Sequence, residues 1–497
     1  MVRIISGCHS LLNVVASCLL FTFFIAATTS TPVPPPVPTK VMIVGDSITQ
    51  GRQGDFTWRY RLWQWKNENK LNLEFVGPRS GTNPPRAATP PLPPIIPGEP
   101  FPDLVIRDGG GYSKQMEDSE EFVRSNGSRH CAVWGWQVRL AKEIIQQHVV
   151  EYEPDYLLVE LGFNDIGFSI TNAEQTLENV KVLIDHARAG NRRLHFALAN
   201  VPQHSYLADS APNGLLAKLE QYNNLLEGKV KEWSTDESQI HLVNLRSLYD
   251  CDEHACRDVY DGLHPNFLGE YEIASAFVQT LTDDFGLQGK PLVIPSNSTF
   301  PHVSSPGNVR AASRREGVVV TWDPVYDAFG YEYRMRAADE KDWTLGKADA
   351  NRLDAVWLAN RTSYEFQVRT TYGDQSQPKS QWSSAISTIA RPETVLLPTN
   401  INITRNGDQY NVSWSPPLGE FHVYAYELII RRRNGVFDRQ GVTGSTHTLR
   451  GLQFQGGDSA AVLAWTDLGA GKPVAVWGDH AWDYKLECEY RTATRPL

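Results

Sequence analysis

A serine, a histidine and an aspartate in this sequence have the side chains and local settings that acyl transfer requires. Ser47 follows the apolar residues 41–44 and a Gly-Asp pair, so a buried strand would end where its hydroxyl meets solvent. A serine hydroxyl is a weak nucleophile and needs a base that is itself held by a third group. Asp261 and His264 supply both in one short loop, in which Gly262 permits a tight turn.

Each of these residues also has an ordinary structural explanation. Gly-Asp-Ser is a typical β-turn sequence, and Asp261 could be a capping residue beside a surface histidine. In the chemical interpretation, Ser47 attacks an ester carbonyl, His264 takes its proton and Asp261 orients the imidazole. This chemistry requires no metal and no cofactor.

An acyl-transfer site also needs hydrogen-bond donors where the tetrahedral oxyanion forms. Asn164 follows a predicted strand and carries a side-chain amide, and the backbone amide of Ser47 is a second candidate. Gly135 begins a predicted helix, whose positive dipole end favours an anion. A plain turn at Asn164 and close packing at Gly135 are the alternative explanations.

These candidates all fall at the ends of predicted strands or in the loops that follow them. The five predicted strands span residues 40–44, 73–76, 155–160, 194–199 and 240–244. Their alternation with helices predicts a doubly wound, flavodoxin-like parallel α/β sheet, in which ligands bind outside the carboxyl ends of the strands. The Pro-rich text from 79 to 129 predicts a long loop across the rim of the site.

The order of these blocks resembles the SGNH hydrolase superfamily. The matching text is Gly-Asp-Ser-Ile at 45–48, Gly135, Gly-Phe-Asn-Asp at 162–165 and Asp-Gly-Leu-His-Pro at 261–265. The resemblance covers residues 40–287. It implies a catalytic triad of Ser47, Asp261 and His264, and an oxyanion hole made by Ser47, Gly135 and Asn164.

Within that superfamily, Trp-Arg-Tyr-Arg-Leu-Trp at 58–63 and Phe-Val-Gly at 75–77 look like the group around carbohydrate esterase family three. The activity known there is removal of acetyl groups from plant polysaccharides such as xylan. The second block, from 130 to 136, departs from the commonest form around its glycine, which leaves the substrate open. A lipase or other acyl-ester hydrolase would use the same triad. The tryptophans that could stack on sugar rings or pack in the core are Trp58, Trp63, Trp134 and Trp136.

The text beyond residue 306 changes to short strands with period-two alternation. It resembles a fibronectin type III domain, on the residues Pro306, Trp322, Tyr331, Leu358, Tyr364 and Trp382-Ser383-Ser384. A second, divergent copy begins near Thr394, where Val-Ser-Trp-Ser-Pro at 412–416 repeats the earlier pattern. A binding or adhesion protein that acts through these domains on a cell-wall or protein ligand is the alternative from another functional class.

The start of the chain predicts export. An apolar run from 11 to 27 follows Arg3 and is itself followed by small polar residues, which is typical of a secretory signal peptide. We therefore expect a secreted, extracellular protein without membrane contact once the signal is removed. The net charge of -10 and the lack of a basic face disfavour nucleic acid as a partner.

Cysteines and sequons fit that compartment. Cys8 and Cys18 leave with the signal, and Cys251 and Cys256 form the expected disulfide. The sequence does not decide whether Cys131 pairs with Cys488 or stays free. The candidate glycosylation sites are Asn126, Asn297, Asn360, Asn402 and Asn411.

The expected organisation of the 497 residues has six parts. They are a signal peptide at 1–30, a Pro-rich leader at 31–39, an esterase domain at 40–290, a linker at 291–305, a fibronectin type III domain at 306–392 and a second one at 394–497.

Overall fold

The fold was obtained as a computed structural model. It describes residues 37–94, 96, 106–168, 170–202, 214–248, 257–296, 304–373, 378–392, 397–407, 409–419, 421–431, 437–450, 454, 456–467 and 469–478. The predicted signal peptide, the predicted Cys251–Cys256 disulfide, Cys488 and Asn297 lie outside these residues. Cys131 is buried and forms no disulfide within them. None of the helices in these ranges combines the length and the apolar character needed to cross a membrane.

The first domain is organised around a parallel sheet in the order β2-β1-β4-β5-β6, with the short β3 paired to the end of β1. The strands are β1 (Thr39–Gly45), β2 (Leu73–Val76), β3 (Cys131–Ala132), β4 (Tyr156–Glu160), β5 (His195–Ala199) and β6 (Ile240–Val243). Residues 41–44 of β1 are at most 1% exposed. Continuous apolar burial of this kind is expected of a strand covered on both faces, and it confirms the predicted doubly wound α/β class.

Helices alternate with these strands along the chain. They are α1 (Ser47–Gln50), α2 (Trp58–Glu68), α3 (Ser119–Arg124), α4 (Val138–Tyr152), α5 (Phe163–Gly167), α6 (Ala173–Gly190), α7 (Leu215–Trp233), α8 (Leu245–Leu248) and α9 (Phe267–Gln279). A π-helical turn, Thr280–Asp284, continues α9. Helix α6 has a capped N-terminus, because Asn172 and Gln175 form a reciprocal capping box.

One helix begins later than its sequence pattern predicts. Apolar residues from Trp134 onward predicted its start, but α4 begins at Val138. Gly135 has φ +78°, a left-handed conformation that a right-handed helix cannot contain. The residues before Val138 therefore form a turn, and Asp165 from α5 accepts hydrogen bonds from the first backbone N–H groups of α4.

The strand register brings three loops to one edge of the sheet. Gly45, at the end of β1, is paired with Ala132 on one side and with Glu160 on the other. Because the strands are parallel, the loops that follow β1, β3 and β4 leave from the same end. Those loops carry Ser47, Gly135 and Asn164.

The second domain is an antiparallel β-sandwich. Its strands are β7 (Arg310–Ser313), β8 (Gly317–Thr321), β9 (Gly330–Ala337), β10 (Thr344–Ala348), β11 (Arg352–Val356), β12 (Ser363–Thr371) and β13 (Ile386–Ile389). They form two sheets, β10-β9-β12-β13 and β11-β8-β7. Trp322 and Tyr331 pack in the core. The Tyr364 hydroxyl accepts a hydrogen bond from the Ala359 backbone N–H (3.0 Å), and this contact is a tyrosine corner.

The third domain is another sandwich. Its strands are β14 (Thr399–Asn406), β15 (Gln409–Ser415), β16 (Val423–Arg431), β17 (Phe437–Val442), β18 (Thr446–Arg450), β19 (Ser459–Thr466), β20 (Gly469–Ala470) and β21 (Val474–Trp477). Strand β19 is buried at every position. Alternate residues face the core of their own sandwich, while Leu463 and Trp465 pack on Trp357 of the second domain. Burial on both faces removes the alternation that would have marked this strand in the sequence.

Candidate active site

Ser47 begins the one-turn helix α1, one residue after the end of β1. Asp46 caps this helix, since its side chain accepts a hydrogen bond from the Ile48 backbone N–H (3.0 Å). A side chain on Gly45 would collide with Thr49, so only glycine allows the turn to fold this tightly. The turn places the Ser47 hydroxyl at the carboxyl end of the sheet, with the residue 5% exposed.

His264 and Asp261 reach Ser47 from the loop that precedes α9. The Ser47 Oγ lies 2.8 Å from His264 Nε2, and His264 Nδ1 lies 2.9 Å from Asp261 Oδ2. The Asp261 carboxylate also accepts a hydrogen bond from the His264 backbone N–H (2.9 Å). Asp261 therefore fixes both the backbone and the imidazole of His264. Gly262, at φ +91°, makes this tight loop possible. A carboxylate at Nδ1 keeps the proton there, so Nε2 can accept the Ser47 proton.

Two aromatic rings enclose the imidazole of His264. The Trp134 ring stacks on it at a centroid distance of 4.7 Å and an interplanar angle of 19°. The Tyr260 ring stacks on it at 5.6 Å and 16°. Trp134 is partly exposed, whereas Tyr260 is buried. The imidazole is therefore held in its plane by packing as well as by Asp261. Sequence reasoning missed Tyr260, although it directly precedes Asp261.

The three predicted oxyanion donors lie in the expected loops, but they differ in availability. Among the described residues, the backbone N–H groups of Ser47 and Gly135 have no protein acceptor. The Asn164 side-chain amide donates to Asp46 Oδ2 (3.1 Å) and to the Trp136 carbonyl (2.9 Å). An amide NH₂ has two hydrogens, so Asn164 ties the first two blocks together here and must give up one of these bonds to reach an oxyanion.

Gln50 fixes the position of the second block and was not predicted from the sequence. Its side chain accepts a hydrogen bond from the Trp134 backbone N–H (2.7 Å) and donates to the Arg107 carbonyl (2.6 Å). The residue is fully buried at the end of α1. Gln50 therefore connects the Ser47 turn to Gly135 and to the long loop. The sequence shows only an amide side chain three residues after the candidate nucleophile, without its partner.

Replacing Gln50 with alanine should lower kcat for a small acetyl ester by about tenfold, because misplacement of catalytic groups by about 1 Å has effects of this order or larger. Without Gln50, the Trp134 backbone loses its anchor and Gly135 moves relative to Ser47. Steady-state kinetics measures the effect. Gln221→Ala is the matched control, because the Gln221 side chain donates its hydrogen bond to the surface residue Glu174. Wild-type kcat in the Gln50 variant would contradict this role.

Two buried carboxyl groups lie beneath the Ser47 turn. Burial raises the pKa of Asp46 to about 7, against opposing effects of the Ile48 N–H and of His264. Burial, followed by the nearby Asp46 charge, raises the pKa of Glu160 well above its ordinary value. The Thr49 hydroxyl donates to Glu160 (2.9 Å). The folded protein therefore retains protons on this pair at a pH where the unfolded chain has released them.

The raised pKa values of Asp46 and Glu160 predict that the free energy of unfolding falls as the pH rises. Between the unfolded pKa of Asp46, 3.8, and its folded value of about 7, the folded state binds more protons, so the free energy of unfolding decreases as the pH increases. Glu160→Gln should make this decrease smaller, measured by urea unfolding at pH 5.5 and 8. The control is Glu143→Gln on the surface. An unchanged pH dependence in the Glu160 variant would contradict the assignment.

The four tryptophans that could stack on sugar rings differ in their exposure to solvent. Trp58, Trp63 and Trp136 are at most 5% exposed and belong to the hydrophobic core. Trp134 alone among the four is partly exposed, and it lies against His264. Of the four, only Trp134 can therefore face a substrate at Ser47.

Comparison with known proteins finds one family match within the first domain. Residues 41–277 match the family model described as GDSL-like Lipase/Acylhydrolase. A search of curated proteins finds no significant match.

Three solved structures illustrate what the domains are similar to. A carbohydrate esterase family 3 protein from Talaromyces cellulolyticus is 22% identical, with 49% of this chain and 97% of that chain covered and a TM-score of 0.35. A Clostridium thermocellum family 3 carbohydrate esterase is 19% identical, with 50% and 96% covered and a TM-score of 0.35. A two-domain fibronectin type III segment of chicken tenascin is 16% identical, with 35% and 97% covered and a TM-score of 0.16.

Proposed function

We propose that residues 41–277, a GDSL-like acylhydrolase domain that acts on ester bonds, form a serine esterase that removes acetyl groups from plant cell-wall polysaccharide. The observation that carries the catalytic assignment is the continuous pair of hydrogen bonds from Ser47 through His264 to Asp261, at 2.8 and 2.9 Å. This is the arrangement that activates a serine hydroxyl.

The proposed reaction has two steps. Ser47 Oγ attacks the ester carbonyl while His264 Nε2 takes its proton, and the oxyanion is stabilised by the backbone N–H groups of Ser47 and Gly135. The protonated His264 then gives its proton to the departing alcohol oxygen, which leaves an acetylated Ser47. In the second step, His264 removes a proton from water, and the resulting attack releases acetate and the free serine.

One side chain beside His264 favours a carbohydrate as the alcohol part of the substrate. Trp134, partly exposed beside His264, supplies a flat surface of the kind on which sugar rings stack. The text at 58–63 and 75–77 that resembles carbohydrate esterase family three supports the same substrate class.

An extracellular location would bring the enzyme to this substrate. The apolar run at 11–27 supports export, and the sequon asparagines in the described residues are exposed, as glycosylation requires. They are Asn126, Asn360, Asn402 and Asn411. We propose that the protein is secreted and glycosylated.

A panel of esters tests the substrate proposal. Purified protein should release acetate from acetylated xylan, and it should release little fatty acid from a long-chain glycerol ester. Chemically deacetylated xylan is the blank for background acetate. Faster release of long-chain fatty acid than of acetate would replace this proposal with a lipase.

A further inference from the structure

The second domain contacts the catalytic domain through Gly373 and through a short segment, the docking loop, which we define as residues 325–329 between β8 and β9. The Tyr326 hydroxyl donates a hydrogen bond to the Tyr112 carbonyl (2.9 Å), and Arg52 Nη2 donates to the Ala328 carbonyl (3.0 Å). Both partners belong to the catalytic domain. Arg52 lies five residues after Ser47, so the docking loop meets the catalytic domain beside the candidate site.

Glycines at this contact show that the two surfaces fit closely. A side chain at Gly54, which has φ +100°, would lie 2.7 Å from the Asp327 Cα. A side chain at Gly111 would collide with the Tyr326 hydroxyl. Gly373, at φ +142° after β12, packs on the Tyr260 carbonyl with no room for a Cβ. An interface that acted only as a spacer would not require backbone contact of this kind on both sides.

Tyr260 connects the docking loop to His264. The Phe329 ring of the docking loop lies 4.4 Å from the Tyr260 ring, at an interplanar angle of 57°. Tyr260 in turn stacks on the His264 imidazole, and its backbone N–H donates to the His264 carbonyl (2.9 Å). The Arg52 guanidinium lies 4.6 Å from the centre of the Phe329 ring and 5.4 Å from that of Tyr260. Tyr260 thus packs against Phe329 of the second domain and against the His264 imidazole.

We propose that the docking loop is a positioning element of the active site, in which Phe329 fixes Tyr260 and Tyr260 fixes the His264 ring toward Ser47. Phe329 contacts no reacting atom and acts only through Tyr260. Small displacements of a catalytic group from its productive position cost orders of magnitude in rate. This inference rests on the proposed function, because it concerns the same histidine.

The experiment uses the full-length chain with Phe329→Ala, Tyr260→Leu and the double variant. We expect each single change to lower kcat for a small acetyl ester by about tenfold to a hundredfold with little change in KM. The second-order rate of inactivation by a small fluorophosphonate, which reports Ser47 reactivity without substrate recognition, should fall by the same factor. Phe329→Tyr and Tyr260→Phe retain the rings and should restore most of the activity.

The double variant separates this proposal from a general loss of structure. If Phe329 acts through Tyr260, the double variant should be no slower than the slower single variant, because the same path is broken twice. Multiplied effects, or a Phe329 variant with wild-type kcat, would overturn the proposal. Leu345→Ala, an exposed position on β10 of the same domain, is the control. Should Phe329→Ala fail to fold, Phe329→Leu replaces it in the same cycle with the same expected outcome.

The wild-type protein distinguishes this failure from failure of the proposed function. Wild-type protein that neither hydrolyses the ester nor reacts with the fluorophosphonate would overturn the esterase assignment, and the positioning role with it. An active wild-type protein with an equally active Phe329→Ala variant would overturn the positioning role alone.

Discussion

Ser47→Ala should lower kcat for a small acetyl ester by about 10⁴-fold or more, because the variant has no hydroxyl to form the acyl-enzyme. The Ser47 Oγ is the atom that His264 Nε2 contacts at 2.8 Å. The fold should be retained, since Oγ removal leaves the Asp46 cap and the helix α1 backbone unchanged. Steady-state hydrolysis and the thermal unfolding midpoint, measured on the same preparation, test both statements.

A buried serine that has no hydrogen bond to His264 among the described residues provides the comparison. Ser113→Ala removes the hydroxyl that accepts a hydrogen bond from the Gln115 backbone N–H, and it should change kcat by less than about threefold. Retention of more than a tenth of wild-type activity in Ser47→Ala would remove Ser47 from the role of nucleophile.

Asp261→Asn should lower kcat by about 10⁴-fold while leaving the size of the side chain unchanged. The Asp261 carboxylate accepts from His264 Nδ1 at 2.9 Å. Asparagine can donate at the same position, which favours the tautomer with its proton on Nε2. That tautomer cannot accept the Ser47 proton, so the base is lost although the ring stays between Trp134 and Tyr260.

The matched control for this change is Asp108→Asn. Asp108 pairs with Arg79 and its side chain is 45% exposed, so its neutral variant should keep kcat within about twofold. A decrease of less than tenfold in Asp261→Asn would show that another group orients His264.

The parallel sheet was predictable because its strands carry their own signal. Residues 41–44 form an apolar run that ends in glycine, and such a run predicts a strand buried on both faces. Once five such strands alternate with helices, the shared direction of their ends brings Ser47, Asn164 and the Asp261–His264 loop together. The candidate site thus follows from the order of the strands, without knowledge of side-chain positions.

The residues that hold the site residues in place were not predictable, since their roles depend on contacts between distant parts of the chain. The Gln50 bond to the Trp134 backbone and the contact of Phe329 with Tyr260 join segments that no local pattern relates. Strand β19 was missed for a similar reason, because packing of the third domain on Trp357 buries both of its faces and removes the alternation. The present bonds of Asn164 to Asp46 and Trp136 also depend on where two loops meet.

The contact between the first two domains indicates a role for the second domain beside the candidate site. The sequence suggested two modules behind a linker, which could act as spacers or as ligand platforms. The docking loop instead packs on Tyr260, one residue from Asp261, and three glycines permit that approach. We therefore expect the second domain to contribute to catalysis through this contact. A ligand of the sandwiches remains a prediction from the sequence alone.

Peptide mapping after labelling with a fluorophosphonate tests the catalytic assignment most directly. This reagent phosphonylates a serine whose hydroxyl is activated by a neighbouring base, and it requires no knowledge of the natural substrate. We expect one label per chain on the peptide that contains Ser47, and no label in Ser47→Ala or under denaturing conditions. A label on a different serine, or an active wild-type enzyme that takes up no label, would contradict it.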